Sequence, residues 1–282
     1  MAPLRNSSMQ RPDRVRNACI ILPTYNEAPN IITTLDRIFQ QQRIHKRTGI
    51  RLQVLVVDDN SPDGTAQLVR SYRQKNNHVH LLLREEKNGL GAAYIAGMQH
   101  ALRVLHPDVI MEMDADGQHK PADIFRLLTA VGDDADFVIG SRYIAGGSLP
   151  ATWGAHRKAI SRAANLYTML ILDTGGAKDC TAGFRAIRSS ALQKVDFGQL
   201  QVKGYAFQVT LLDACVRGGA KVKEVPISFL ERKKGGSKMR LQDMVLGALM
   251  IARIRLRRMF RIRPQNHQIP TTTPKVGRAA VH

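Results

Sequence analysis

Short apolar runs alternate with longer amphipathic segments through the first half of the chain. Runs rich in Val, Ile and Leu lie at 18–22, 52–57, 79–83, 109–113 and 137–139. Each is nearly continuous and bounded by turn or polar residues, as strands buried on both faces are. Helix-length segments fill the gaps at 29–42, 64–75, 91–105 and 121–130. The alternation predicts crossover connections and a mostly parallel, Rossmann-like α/β sheet with helices on both faces. Ligands of such a sheet meet the C-terminal ends of its strands.

The second half is less regular. The pattern predicts a helix over 155–172, a loop at 173–176, a short strand near 183–187, a helix over 205–216 and a strand over 222–230. From 239 to 261 the apolar residues Leu241, Val245, Leu249, Ala252, Leu256 and Met259 recur at spacings of three and four, away from Arg240, Arg253, Arg257, Arg258 and Arg261. That is an amphipathic helix, whose stripe suits either a membrane surface or the protein's own sheet. The domain reading is a basic N-terminus (1–17), a catalytic domain (18–238), the amphipathic helix (239–262) and a polar tail (263–282) of the composition that stays unfolded.

Charge and cysteines sharpen this picture. The chain of 282 residues carries a formal charge of +19, unevenly spread. Residues 231–282 hold thirteen Lys/Arg against two Asp/Glu, and 1–17 add +3, which leaves only +5 on the body between. Basic ends on a nearly balanced body fit an anionic surface met at one edge. Nucleic acid is disfavoured, because the basic tail carries one aromatic, Phe260, and no interleaved stacking residues. Cys19, Cys180 and Cys215 are widely spaced among apolar or small neighbours and read as buried thiols of a reducing compartment. The apolar run at 18–22 stops at Pro23, too short for a signal peptide, and 244–252 falls far short of the ~20 residues of a spanning helix. An unsecreted, non-spanning chain is expected.

Candidate chemistry sits at the strand ends. The first strand runs into Pro23-Thr24-Tyr25-Asn26-Glu27, where Pro23 is expected to stop the ladder. A ring and a carboxylate there suit a base and a ribose; helix capping is the plainer alternative. The second ends in Asp58-Asp59-Asn60-Ser61-Pro62-Asp63-Gly64-Thr65. Its acids suit ribose hydroxyls, although turn formation and capping account for Asn60, Ser61 and Asp63. The fourth ends in Asp114-Ala115-Asp116-Gly117-Gln118-His119, two carboxylates about the small Ala115. Such oxygens suit Mg²⁺ or Mn²⁺ sharing its shell with a diphosphate, and turn capping before Pro121 is again the alternative. The glycines of Lys87-Asn88-Gly89-Leu90-Gly91 match neither a Walker loop nor a dinucleotide fingerprint and suit close packing instead. Downstream, Arg142, Arg157, Arg162, Arg185, Arg232 and Lys238 suit phosphate oxygens and hint at a second, anionic substrate.

These segments, with Gly140-Ser141-Arg142-Tyr143, Gly204-Tyr205-Ala206-Phe207-Gln208 and Val225-Pro226-Ile227-Ser228-Phe229, resemble in order the dolichol-phosphate (polyprenol-phosphate) mannosyltransferases, family 2 glycosyltransferases of GT-A fold. The resemblance runs from about Ala18 to Arg261, and Ser61-Pro62-Asp63-Gly64-Thr65 sets it nearer this branch than the polysaccharide synthases. It implies inverting transfer of mannose from GDP-mannose to a polyprenyl phosphate, with a UDP-sugar donor as the alternative. By motif it implies that Pro23, Tyr25, Glu27, Val57 and Asp59 hold guanosine, and that Asp114, Ala115, Asp116 and Gln118 surround diphosphate and metal. Asp114, Asp116 and Gln118 are then the metal ligands. It assigns the acceptor phosphate to Arg142, Arg157 and Ser161, and closure over the diphosphate to Arg232 and Lys238 on a movable loop at 231–237. Asp116, Arg142 and Arg232 are the implied catalytic residues. Members without spanning helices meet the cytoplasmic face of a membrane through surface helices or an integral-membrane partner, which is the expectation here.

Overall fold

The computed structural model describes residues 14–132, 134–200, 206–231, 247–249 and 251–256. Seven strands, β1 (Asn17–Thr24), β2 (Arg51–Asp58), β3 (Val79–Leu83), β4 (Val109–Glu112), β5 (Phe137–Ser141), β6 (Arg185–Arg188) and β7 (Val222–Pro226), form one sheet. Its order is β3-β2-β1-β4-β6-β5-β7, parallel throughout except that β6 runs against both neighbours. The expected mostly parallel α/β fold is therefore present. The helices are α1 (Ala28–Ile44), α2 (Thr65–Lys75), α3 (Leu90–His100), α4 (Ile124–Gly132), α5 (Ala155–Ile171), α6 (Ser189–Leu192) and α7 (Ala206–Arg217).

Alternate strand residues feed two cores, as the pleat requires. Ile20, Leu22, Val54, Val56 and Met111 pack with Ile31 and Leu35 of α1, Val69 of α2 and Leu127 of α4. Ile21, Leu55, Val57, Ile110 and Ile187 pack on the other face with Tyr94 and Met98 of α3 and Phe207, Leu211 and Leu212 of α7. Helix α3 lies so close to the sheet that a Cβ on Gly97 would stand 2.7 Å from Ile21 Cγ2. Only glycine permits that approach.

Two expectations need correction. Pro23 does not end the ladder: β1 continues through it to Thr24, with Pro23 opposite Val57. Ile21 offers its carbonyl to Met113 on the β4 side, so Pro23, two residues on, turns its missing N–H to the same side, just beyond the end of β4 at Glu112. The last strand stops at Pro226 rather than 230; beyond it the Ile227 N–H donates to the Ser141 carbonyl and a bridge pairs Ser148 with Ser228. Residues 247–249 and 251–256 are helical, and there Ile251 and Ile254 pack on the protein while Leu249 and Leu256 of the predicted stripe are exposed. Leu241, Val245 and Met259 of the stripe lie outside the described residues.

Candidate active site

The ends of β1 and β2 are laced into one unit. Thr24 Oγ1 and Ser61 Oγ each donate to Asp58 Oδ2 at 2.7 Å, and the Ser61 N–H donates to Asp58 Oδ1. The Asn26 N–H reaches Ser61 Oγ, the Glu27 N–H reaches Thr65 Oγ1, and the Ala28 N–H reaches Asp63 Oδ2. Asn26 and Asn60 take left-handed backbone (φ 59° and 55°), which asparagine tolerates and these two tight turns require. Ser61 and Asp63 are thus turn and capping residues, as the plainer reading had them, and Asp58 joins them by accepting from Thr24 and Ser61. Arg84 holds Asp59 Oδ1 at 2.7 Å; burial nevertheless raises the carboxyl, with Arg84 opposing. The Lys87 ammonium lies 3.7 Å from the centre of the Tyr25 ring. Val57 is placed differently from the other predicted nucleotide residues, because its side chain is wholly buried beneath α3.

At the end of β4, Asp114 and Asp116 are oriented rather than loose. Tyr94 Oη donates to Asp114 Oδ1 at 3.0 Å, the Asp114 N–H donates to His119 Nδ1, and the Gln118 N–H donates to Asp116 Oδ1. Ala115 is buried and accepts a hydrogen bond from Thr34 of α1 on its carbonyl. His119 stacks on Phe184 at 4.9 Å, and burial lowers its pKa against the pull of Asp114 and Asp116. A ring that accepts the Asp114 N–H through Nδ1 carries its proton on Nε2. Gln118 also donates from Nε2 to the Leu230 carbonyl and accepts from the Leu230 N–H on its own carbonyl, so it ties Leu230 to this segment.

The third part is cationic. At the end of β5, Arg142 grips Asp179 through Nε (2.8 Å) and Nη2 (2.7 Å), and Nη2 also reaches Thr181. Burial alone would lower this guanidinium's pKa, but Asp179 outweighs it and the net shift is upward. Tyr143 Oη donates to Ser161 Oγ of α5 at 2.7 Å, and the Arg157 guanidinium lies 3.8 Å from the Trp153 ring. Rings join the two halves: Trp153 meets Phe229 edge-on, and Phe229 meets both His119 (5.5 Å) and the Arg142 guanidinium (5.4 Å). The predicted Asp114, Asp116, Gln118, Arg142, Arg157 and Ser161 therefore surround one end of the sheet. Arg232 and Lys238 lie outside the described residues.

The sequence profile of glycosyl transferase family 2 matches residues 19–196, which span β1 to the turn after α6 and hold both the Asp114 loop and Arg142. The chain belongs to glycosyl transferase family 2. Within the family it is 42% identical over 222 residues to a polyprenol monophosphomannose synthase of Mycolicibacterium smegmatis, covering 78% of this chain and 80% of that one. It is 44% identical over 220 residues to an undecaprenyl-phosphate mannosyltransferase of Micrococcus luteus, covering 78% and 86%. In fold it is similar to a mannosyltransferase from Pyrobaculum calidifontis in complex with GDP-Man and Mn²⁺ (TM-score 0.54, 19% identity, 90% of this chain and 77% of that one).

A divalent metal fits this glycosyltransferase by donor chemistry. Asp114, Asp116 and the Gln118 amide offer only oxygens, the ligands Mg²⁺ and Mn²⁺ prefer, and Tyr94 and the Gln118 N–H already fix the carboxylates. Among the described residues no group of three or more His, Cys, Asp or Glu gathers around one point. The protein would supply part of a coordination shell, with phosphate oxygens and water as the rest. Several site residues escaped the sequence reading: Tyr94, Asp179, Thr181, Trp153, Arg84 and Glu224, which accepts the N–H groups of Lys178 and Asp179. Asp179 is invisible to spacing because its partner Arg142 is 37 residues away. His119 stood in the quoted segment and could have been singled out as a support for Asp114. The three thiols, each pushed up to about 12 by burial, are inert.

Proposed function

We propose that this family 2 glycosyltransferase moves mannose from GDP-mannose to a polyprenyl (dolichyl-type) monophosphate, with inversion at the anomeric carbon. The observation that carries the reading is one sheet edge with two chemistries: an oxygen-only carboxylate loop at Asp114 and Asp116, and a clamped cation at Arg142 with Arg157 and Ser161 on the facing helix. The first suits a nucleotide diphosphate and the second a phosphate monoester. The relatives named for polyprenol and undecaprenyl phosphate support the acceptor and the sugar.

In this account Pro23, Tyr25, Glu27 and Asp59 bind guanosine, with Lys87 leaving the Tyr25 ring as the base enters, and the buried Val57 side chain makes no contact with it. Asp114, Asp116 and Gln118 would hold a divalent metal, with the small Ala115 between the two carboxylates. A divalent cation bound there would neutralise charge on the departing diphosphate. Arg232 and Lys238 add positive charge to the same leaving group. Arg142, Arg157 and Ser161 hold the acceptor. A phosphate monoester is anionic at neutral pH, so its oxygen attacks the anomeric carbon without a protein base. The bond from that carbon to the diphosphate breaks on the opposite face, and its electron pair leaves with GDP. The chain's contribution is positioning and charge stabilisation.

The acceptor's tail calls for a membrane surface. Helix α5 buries only Asn165 and Thr168 and exposes Ile160, Leu166, Met169 and Leu170, while Tyr167 donates to the Ala248 carbonyl of the C-terminal helix, which exposes Leu249 and Leu256. Arg157, Arg162, Arg253 and Arg255 are also exposed on these helices. Apolar ridges with basic neighbours suit the interface, where each arginine near acidic lipid adds about 1 kcal/mol. No helix among the described residues is long and apolar enough to cross a membrane. The protein then works peripherally on the cytoplasmic face, alone or beside an integral-membrane partner.

Calorimetric titration in Mn²⁺ tests the donor. GDP is expected to bind at least about tenfold more tightly than UDP, a difference of ~1.4 kcal/mol. UDP binding as tight as GDP would replace GDP-mannose with a UDP-sugar.

A further inference from the structure

Four buried side-chain atoms without a hydrogen-bond partner fall in one cluster among the described residues: Oε1 and Oε2 of Glu112, Nε of Arg185 and Oε1 of Gln208. Glu112 and Arg185 face each other across the antiparallel β4–β6 register, both fully buried, with Nε 3.7 Å from Oε2 and so beyond hydrogen-bond reach. The other guanidinium nitrogens are used: Nη1 donates to the Gln208 carbonyl and Nη2 to the Cys180 carbonyl, each at 2.6 Å. A core selected for stability alone has little reason to keep this arrangement. Unpaired buried polar atoms cost about 1–3 kcal/mol each, and apolar replacement of a buried charged pair is often neutral or stabilising.

Its place in the fold connects it to both halves of the site. Glu112 lies two residues before Asp114. Cys180 follows Asp179, the clamp of Arg142. Gln208 sits in the first turn of α7 next to Phe207, whose ring stacks at 5.8 Å on Tyr94, the donor to Asp114. Arg185 thus touches three elements, each one step from a side chain of the site, and it spans the gap between the metal side and the anion side.

We propose that Arg185, braced by Glu112, is a positioning residue that sets Asp114 and Arg142 at their working separation. The inference rests on the function proposed above. Each half-site has anchors of its own, Tyr94 and His119 for Asp114, Asp179 and Thr181 for Arg142. Loss of Arg185 leaves both halves able to bind and misaligns one against the other, and a misplacement of about 1 Å costs on the order of 100-fold in rate.

The test compares wild type, Arg185→Lys, Arg185→Met and the double variant Glu112→Leu with Arg185→Met. Calorimetry with GDP and Mn²⁺ counts intact sites, and turnover of GDP-mannose with polyprenyl phosphate is expressed per GDP-binding site. Lysine cannot fork to two carbonyls, so Arg185→Lys loses about tenfold in kcat and the methionine variants about 100-fold. The Kd for GDP and the KM for acceptor stay within about threefold. The double variant regains thermal stability over Arg185→Met without regaining kcat, a separation that a merely structural role would not produce. Turnover per site within about threefold of wild type in Arg185→Lys and the double variant overturns the proposal. A wild-type chain that binds no GDP with Mn²⁺ overturns the functional reading, and this inference falls with it.

Discussion

Asp116→Ala is expected to lower sugar transfer by about 10³-fold or more, on the order of 4 kcal/mol of transition-state stabilisation. Asp116 is buried in the turn that follows β4, where the Gln118 N–H donates to its Oδ1, and it is a metal ligand in the proposed function. The substitution deletes a ligand and exposes no new apolar surface, so the folded chain should persist with a thermal midpoint close to wild type. Radiolabel transfer measured across a Mn²⁺ titration checks this. Near-normal turnover at high Mn²⁺ would mean that Asp116 shapes the turn and binds no metal.

Asp179→Ala should damage both stability and activity. The Asp179 side chain is fully buried and the Arg142 side chain is 9% exposed, so the variant strands a buried guanidinium that has lost its bidentate partner. Breaking such a pair from one side costs about 3–5 kcal/mol, and at about 2–4 °C per kcal/mol for a domain of this size the thermal midpoint should fall by roughly 10 °C. Arg142 also loses the contact that aims it, so kcat/KM for the acceptor should drop by about 100-fold. Asp179→Asn keeps an acceptor oxygen and should fall between the two. Scanning calorimetry paired with acceptor kinetics reads both effects. A large stability loss with unchanged acceptor kinetics would remove Arg142 from the acceptor site.

Legibility in the sequence followed locality. The strands at 18–22, 52–57, 79–83 and 109–113 were readable because burial on both faces makes each a continuous apolar run. β6 was harder, since its Arg185 puts a charge inside a buried strand, and its antiparallel course has no signature in so short a run. Pro23 misled because the rule that proline ends a ladder depends on which side its nitrogen faces, and that parity is set by where β4 stops. Asp114 and Asp116 stood out because both lie in one segment. Their support Tyr94 and the Arg142–Asp179 clamp come from different elements, and contacts across 20 or 37 residues leave no mark in spacing, whereas His119 stood in the same segment as Asp114. Asp58 shows the reverse error: an acid beside Asp59 that looks equally suited to a ligand is spent on Thr24 and Ser61.

In the proposed function the Asp114–Asp116 loop and the Arg142 clamp serve one transfer from a nucleotide sugar to a lipid phosphate. Purified chain incubated with GDP-mannose labelled in the sugar, Mn²⁺ and polyprenyl phosphate in lipid vesicles, followed by organic extraction, measures that transfer directly. The account predicts label in the organic phase that requires both Mn²⁺ and the lipid phosphate and is lost in Asp116→Ala. Label that stays in the aqueous phase with every polyprenyl phosphate and both metals would contradict it.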